Sequence, residues 1–111
     1  MTDNNELAAR PKYVPESLRT LAEYLERALD SATSIVMMRP TDGVCIVYLG
    51  DPAGLREDLK QIATIATSLA NSMLESTVSG VNELQINDQI YRFARSFTQI
   101  DEMAAVVFSM A

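Results

Sequence analysis

The stretch QIATIATSLANSML, Gln61 to Leu74, decides how this chain is to be folded. Its fourteen residues carry no charge, in a protein of 111 residues of which 22% are charged. Lys60 and Glu75 stand immediately outside it. A surface helix ordinarily places Glu, Lys or Arg on the face it shows to water. On a helical wheel of about 100° per residue, Leu55, Leu59, Ile62, Ala66, Leu69 and Met73 fall on one apolar stripe. The opposite face then holds Thr64, Thr67, Ser68, Asn71 and Ser72. Asp51 suits an N-cap, Pro52 a first helical position and Gly80 a stop. The pattern predicts one long helix from Pro52 to about Val78.

Two readings of the uncharged face are open: it points to water, or it meets another protein surface. Thr, Ser and Asn are mediocre helix formers, which counts against a merely solvated face. Small uncharged polar residues let a second backbone come close without desolvating ions. A two-fold axis would bring the same face from two copies together. The expectation is an interface, with a homodimer as the first form.

Upstream, Pro15 to Asp30 reads as an amphipathic helix. Leu18, Leu21, Leu25, Ala28 and Leu29 recur at three- and four-residue steps. Residues 1–14 lack periodicity and are expected to be a flexible arm, leaving 15–111 as one domain. Ser34–Pro40 and Val44–Gly50 read as strands joined at Asp42-Gly43, a strong hairpin signal. Both strands are apolar on both faces, which belongs to a sheet covered on both sides. Asn82–Ile86, Gln89–Phe97 and Glu102–Met110 read as three closing strands, the last a central one, with helix an open alternative for its Ala-rich part. The expected class is α+β in the order α-β-β-α-β-β-β. That order counts five strands.

Composition narrows the chemistry. The net charge of −6 argues against a nucleic-acid partner and against docking on an anionic membrane. No segment approaches the roughly 20 apolar residues of a membrane span, so no membrane insertion is expected. The polar, acidic opening MTDNNELAAR is unlike a signal peptide, and the one cysteine forms no internal disulfide. A cytoplasmic location is the expectation. There is no His, so triads and imidazole metal ligation are out of reach. LGDPAG (Leu49–Gly54) leads toward the predicted helix but lacks the Lys-Ser/Thr of a phosphate loop. Glu57-Asp58 and Asp101-Glu102 are sequence neighbours whose side chains diverge, and they read as solvated charge. Cys45, central in an apolar strand, reads as a buried inert thiol. Arg92 and Arg95 among Tyr91, Phe93 and Phe97 read as sheet core and edge polarity rather than an RNA platform. No catalytic residue, cofactor or metal is expected.

The first helix, the SIVMMRPTDGVCIVYLGDP hairpin, the long helix after it and ELQINDQIYRFARSF…AAVVFSM together resemble the roadblock/dynein-light-chain family. The resemblance covers residues 15 to 111. It implies a five-stranded antiparallel sheet with the long helix on one face and the N-terminal helix on the other. It also implies dimers built through the long helix and the edge strand Asn82–Ile86, which adds Leu84 and Ile86 to Thr64, Thr67, Ser68, Asn71 and Ser72 as interface residues. The implied function is a non-catalytic adaptor or regulator of a small Ras-like GTPase or a motor complex. The alternative is a small acidic secretion chaperone that binds an effector protein. That class usually places three strands before the second helix, where this reading of the sequence finds two.

Overall fold

The structure is a computed structural model that describes residues 14–111. The N-terminal arm expected over 1–14 lies, Val14 apart, outside the described residues. The elements are α1 (Glu16–Ser31), β1 (Ser34–Thr41), β2 (Val44–Gly50), a 3-10 turn (Arg56–Asp58), β3 (Lys60–Ala66), α2 (Thr67–Glu75), β4 (Gly80–Ile86), β5 (Gln89–Ile100) and β6 (Met103–Met110). The six strands form one sheet in the order β3-β2-β1-β6-β5-β4, antiparallel throughout.

The α+β class holds, but the long helix over 52–78 does not form. Its first part is a loop with a 3-10 turn, its middle is β3, and only Thr67–Glu75 is helical. The wheel stripe is dispersed accordingly. Leu55 is exposed, Leu59 lies in a cluster beneath the sheet, and Met73 alone of the six is fully buried against the main core. Periodicity misled because Lys60–Ala66 satisfies both patterns, and Ile62, Thr64 and Ile65 are β-branched. The tertiary setting decides between them. Without β3, the outer edge of β2 would leave its backbone groups unpaired beside buried Cys45 and Val47.

The position of α1 is a second correction. Both helices lie on the same sheet face, termed the front. Leu21, Leu25 and Ala28 of α1 join Ala70 and Met73 of α2 over Ile35, Met37, Val47, Phe93 and Phe108. The reason is size. The nine residues of α2 extend about 14 Å, whereas a six-stranded face is about 24 Å across at about 4.8 Å per strand. A helix this short cannot cover the front alone, so α1 covers the rest.

Local signals set most boundaries. Pro15 stands just before α1, and Ala32 closes it in the left-handed conformation, with N–H groups returning to the carbonyls of Ala28 and Leu29. Gly43, at φ 83°, makes the β1–β2 turn. The β5–β6 turn uses Asp101 and Glu102, both at positive φ, so β5 continues past Phe97 to Ile100. β6 is a strand between β1 and β5, as its apolar run indicated.

On the back face, Val36, Met38, Tyr48, Leu59, Ile100 and Ala105 form a second cluster. The 51–59 loop folds against it. Arg56 donates to the Tyr48 hydroxyl at 3.0 Å, lies 4.8 Å from that ring centre and approaches Asp101 at 3.7 Å. Gly50 permits this return, since a Cβ there would lie 2.7 Å from Leu59 Cδ2.

A directed bond ties α1 to the sheet: the Tyr91 hydroxyl of β5 donates to Glu26 Oε2 at 2.7 Å. Burial, and then that bond, push the Tyr91 hydroxyl up to about 12 from 10.0. A raised folded-state value means that the stabilisation is complete below pH 10.0 and is lost as pH rises through about 12. Thermal midpoints of the wild type are therefore expected to fall more steeply between pH 10 and pH 12 than those of Tyr91→Phe. Parallel curves would contradict this.

Candidate functional site: an open strand edge beside an apolar groove

The seven residues expected to form one interface are divided among β3, α2 and β4. Thr64 is exposed on β3, on the back face, and its hydroxyl accepts from Gln61 Nε2 at 3.1 Å. Thr67 begins α2, and its hydroxyl oxygen is buried without a partner among the described residues. Ser68 and Asn71 are exposed on α2, while Ser72 is half-buried and donates to the Ser68 carbonyl at 3.1 Å. Leu84 and Ile86 lie on β4 at the far edge and pack against the main core on the front. Asn82–Ile86 does belong to an edge strand. It is not beside β3, and no single helix face gathers the other five residues.

The structure exposes a different site. A cavity of about 370 Å³ lies on the front between α2 and the far ends of β1, β5 and β6. Met37, Cys45, Ala70, Leu74, Phe97 and Val106 line it, with Arg39 at the rim. Phe97 is 60% exposed although it stands on the core face of β5, four residues after fully buried Phe93. The Arg95 guanidinium lies 5.5 Å from its ring centre.

The backbone beside Phe97 is open as well. Ala111 N–H donates to the Arg92 carbonyl, and the β5–β6 register pairs Phe93 with Met110. Antiparallel ladders alternate, so Arg92, Ala94, Ser96 and Thr98 bond toward β6 while Phe93, Arg95, Phe97 and Gln99 point the other way. Phe93 and Arg95 meet β4 at Asn82 and Gly80, where β4 begins. Among the described residues, no strand lies beside Phe97 and Gln99 on that side. The residue that would continue the ladder is Val78, and the Asn82 side chain holds its backbone instead. Val78 N–H donates to Asn82 Oδ1 at 2.8 Å, and Asn82 Nδ2 donates to the Val78 carbonyl at 2.8 Å and to that of Gly80 at 3.0 Å. This side-chain clasp, with Gly80 at φ 89°, turns the chain away from β5.

Arg95 forms the floor between groove and clasp. Its Nη1 donates to the Leu74 and Thr77 carbonyls at 2.8 and 2.9 Å and to Thr77 Oγ1 at 3.0 Å, closing the end of α2. Sequence reasoning treated Arg95 as edge polarity and Phe97 as core. The only available signal was the length of β5 relative to β4, visible once the turn is placed at Asp101-Glu102. Cys45 is buried, and burial pushes its thiol up against the opposing pull of Arg39, so the wall of the groove carries no ready thiolate.

The arrangement offers apolar contact and, among the described residues, an unpaired strand edge, and the groove lining holds no Asp or Glu. Among the described residues no group of His, Cys, Asp and Glu could hold a metal ion, and no helix is long and apolar enough to cross a membrane. No family model and no curated protein matches this chain.

Proposed function

We propose that this protein is a non-catalytic binding module that holds an extended apolar segment of a protein partner, in the manner of a small secretion chaperone acting in the cytoplasm. The observation that carries this reading is Phe97. Its side chain is exposed over an apolar groove, and no strand among the described residues pairs with its outward N–H and C=O. An added strand would take its main-chain bonds from Phe97 and Gln99 and place alternate side chains into the groove. The element order supports the same reading, because three strands precede α2, the layout expected of that class. The GTPase-adaptor reading leaned on a long helix directly after the β1–β2 hairpin, where the chain instead forms a loop and β3.

The test is capture from native cell extract followed by hydrogen exchange on the recovered complex. The wild type is expected to retain a partner whose binding slows exchange at Phe97 and Gln99. Phe97→Asp is expected to fold normally and to lower retention at least about tenfold, a loss of about 1.4 kcal/mol. Recovery of a folded nucleotide-binding switch protein with those two amides unchanged would support the adaptor reading and overturn this one.

A further inference from the structure

Among the described residues, β3 is a second edge with no strand on its outer side, and its backbone phase is fixed by one bond. Thr67 N–H donates to the Gly43 carbonyl, in register with Cys45–Ile65 and Val47–Ala63. Those pairs therefore bond toward β2, and Thr64 and Ala66 direct their N–H and C=O groups outward. Native edges are ordinarily guarded by charge, proline or an inward turn. β4 is guarded: Glu83 pairs with Arg92 at 3.2 Å, and the Asn82 clasp closes its start. From Gln61 to Ala66, β3 carries no charge and no proline, and its one irregularity is the extra residue Ile62 opposite Val47 and Tyr48.

We propose that β3 is a self-pairing edge: β3 of a second copy lies antiparallel to it about a two-fold axis at Thr64, joining two sheets into one. This surface is separate from the groove at Phe97. The occupant follows from symmetry and charge. Side chains keep their faces across such an axis only when the paired positions sum to an even number. Centring on Thr64 satisfies this and makes Thr64–Thr64 a pair that exchanges both backbone bonds. Ala63 then faces Ile65 on the front. Each copy carries a net charge of −6, so two copies repel over most of their surfaces. They meet with least repulsion along the uncharged run from Gln61, which continues past the strand through Thr67 and Ser68. A short strand pair buries less than a standard interface of about 1,600 Å², so the dimer is expected to be weak and concentration-dependent.

Sedimentation of the full chain from about 5 to about 500 μM spans the affinities expected of such a contact. The mass is expected to rise from 12.2 kDa toward twice that value. Thr64→Lys, which places two ammonium groups at the axis, is expected to weaken dimerisation at least tenfold. Thr64→Cys under mild oxidation is expected to give a disulfide-linked dimer, since residues in a bonded antiparallel pair stand about 5.5 Å apart, within disulfide range. Cys45 is buried and does not compete. Gln85→Cys, on the guarded β4 edge, is the control and is expected not to cross-link. A wild type that stays monomeric throughout would overturn the proposal. So would a dimer indifferent to Thr64→Lys, or equal cross-linking through Gln85→Cys.

Discussion

Phe93→Ala is expected to lower the unfolding free energy by about 3–5 kcal/mol. Phe93 is fully buried and stacks edge-on against Phe108, with ring centres 5.8 Å apart and planes at 65°. It belongs to the cluster that joins α1, α2 and the sheet, so its removal leaves a cavity that no single element can close by shifting. Domains of this size are typically stable by about 5–15 kcal/mol, so the loss is a large share of the total. Urea titration is expected to show a lower midpoint with an unchanged slope. The comparison is Phe97→Ala, four residues along the same strand on the same face. Its side chain is 60% exposed, and the change is expected to stay within about 0.5 kcal/mol. Equal losses at the two sites would contradict the placement of the groove.

Arg95→Met is expected to cost about 2–3 kcal/mol. Methionine keeps much of the apolar stem but leaves the Leu74 and Thr77 carbonyls without their donor. These lie at the end of α2, where the aligned peptide dipoles favour a cation. The loss is expected to be local: hydrogen exchange should accelerate over 67–78 well before the β1–β2 hairpin responds. Arg95→Lys is expected to restore only part of it, because one ammonium cannot span the two carbonyls, Thr77 Oγ1 and Ser79 Oγ as the guanidinium does. Uniform acceleration across the sheet would show that Arg95 supports the whole fold rather than the end of α2.

Both effects arise in elements that were partly legible in the sequence. The amphipathic spacing of Leu21, Leu25 and Ala28 placed α1 and its buried face. Asp42-Gly43 placed the first hairpin, and the strands read over Asn82–Ile86 and Gln89–Phe97 left Asn87-Asp88 between them as the turn, where Asn87 adopts positive φ. Phe93 was read together with Tyr91 and Phe97 as sheet core, and it is fully buried. The site was less legible. Phe97 shares its strand face with Phe93, and nothing in the local pattern separates a buried position from an exposed one. The difference arises because α2 is short and because Asn82 diverts the strand that would have run beside Phe97. Those are contacts between distant segments.

The uncharged run Gln61–Leu74 divides the two kinds of information. Sequence by itself determined that this segment would not be an ordinary charged surface helix, since charge is absent on every side. It also determined the α+β class, the first helix and the hairpins, because capping, turn chemistry and apolar spacing act over a few residues. Only the tertiary structure decided that Lys60–Ala66 is a strand, that both helices share one face and that β5 is left open at Phe97. The physical reason is that Lys60–Ala66 suits either period. The choice was made by the unpaired edge of β2, whose hydrogen-bonding groups lie far from it in the helical reading and beside it in the fold.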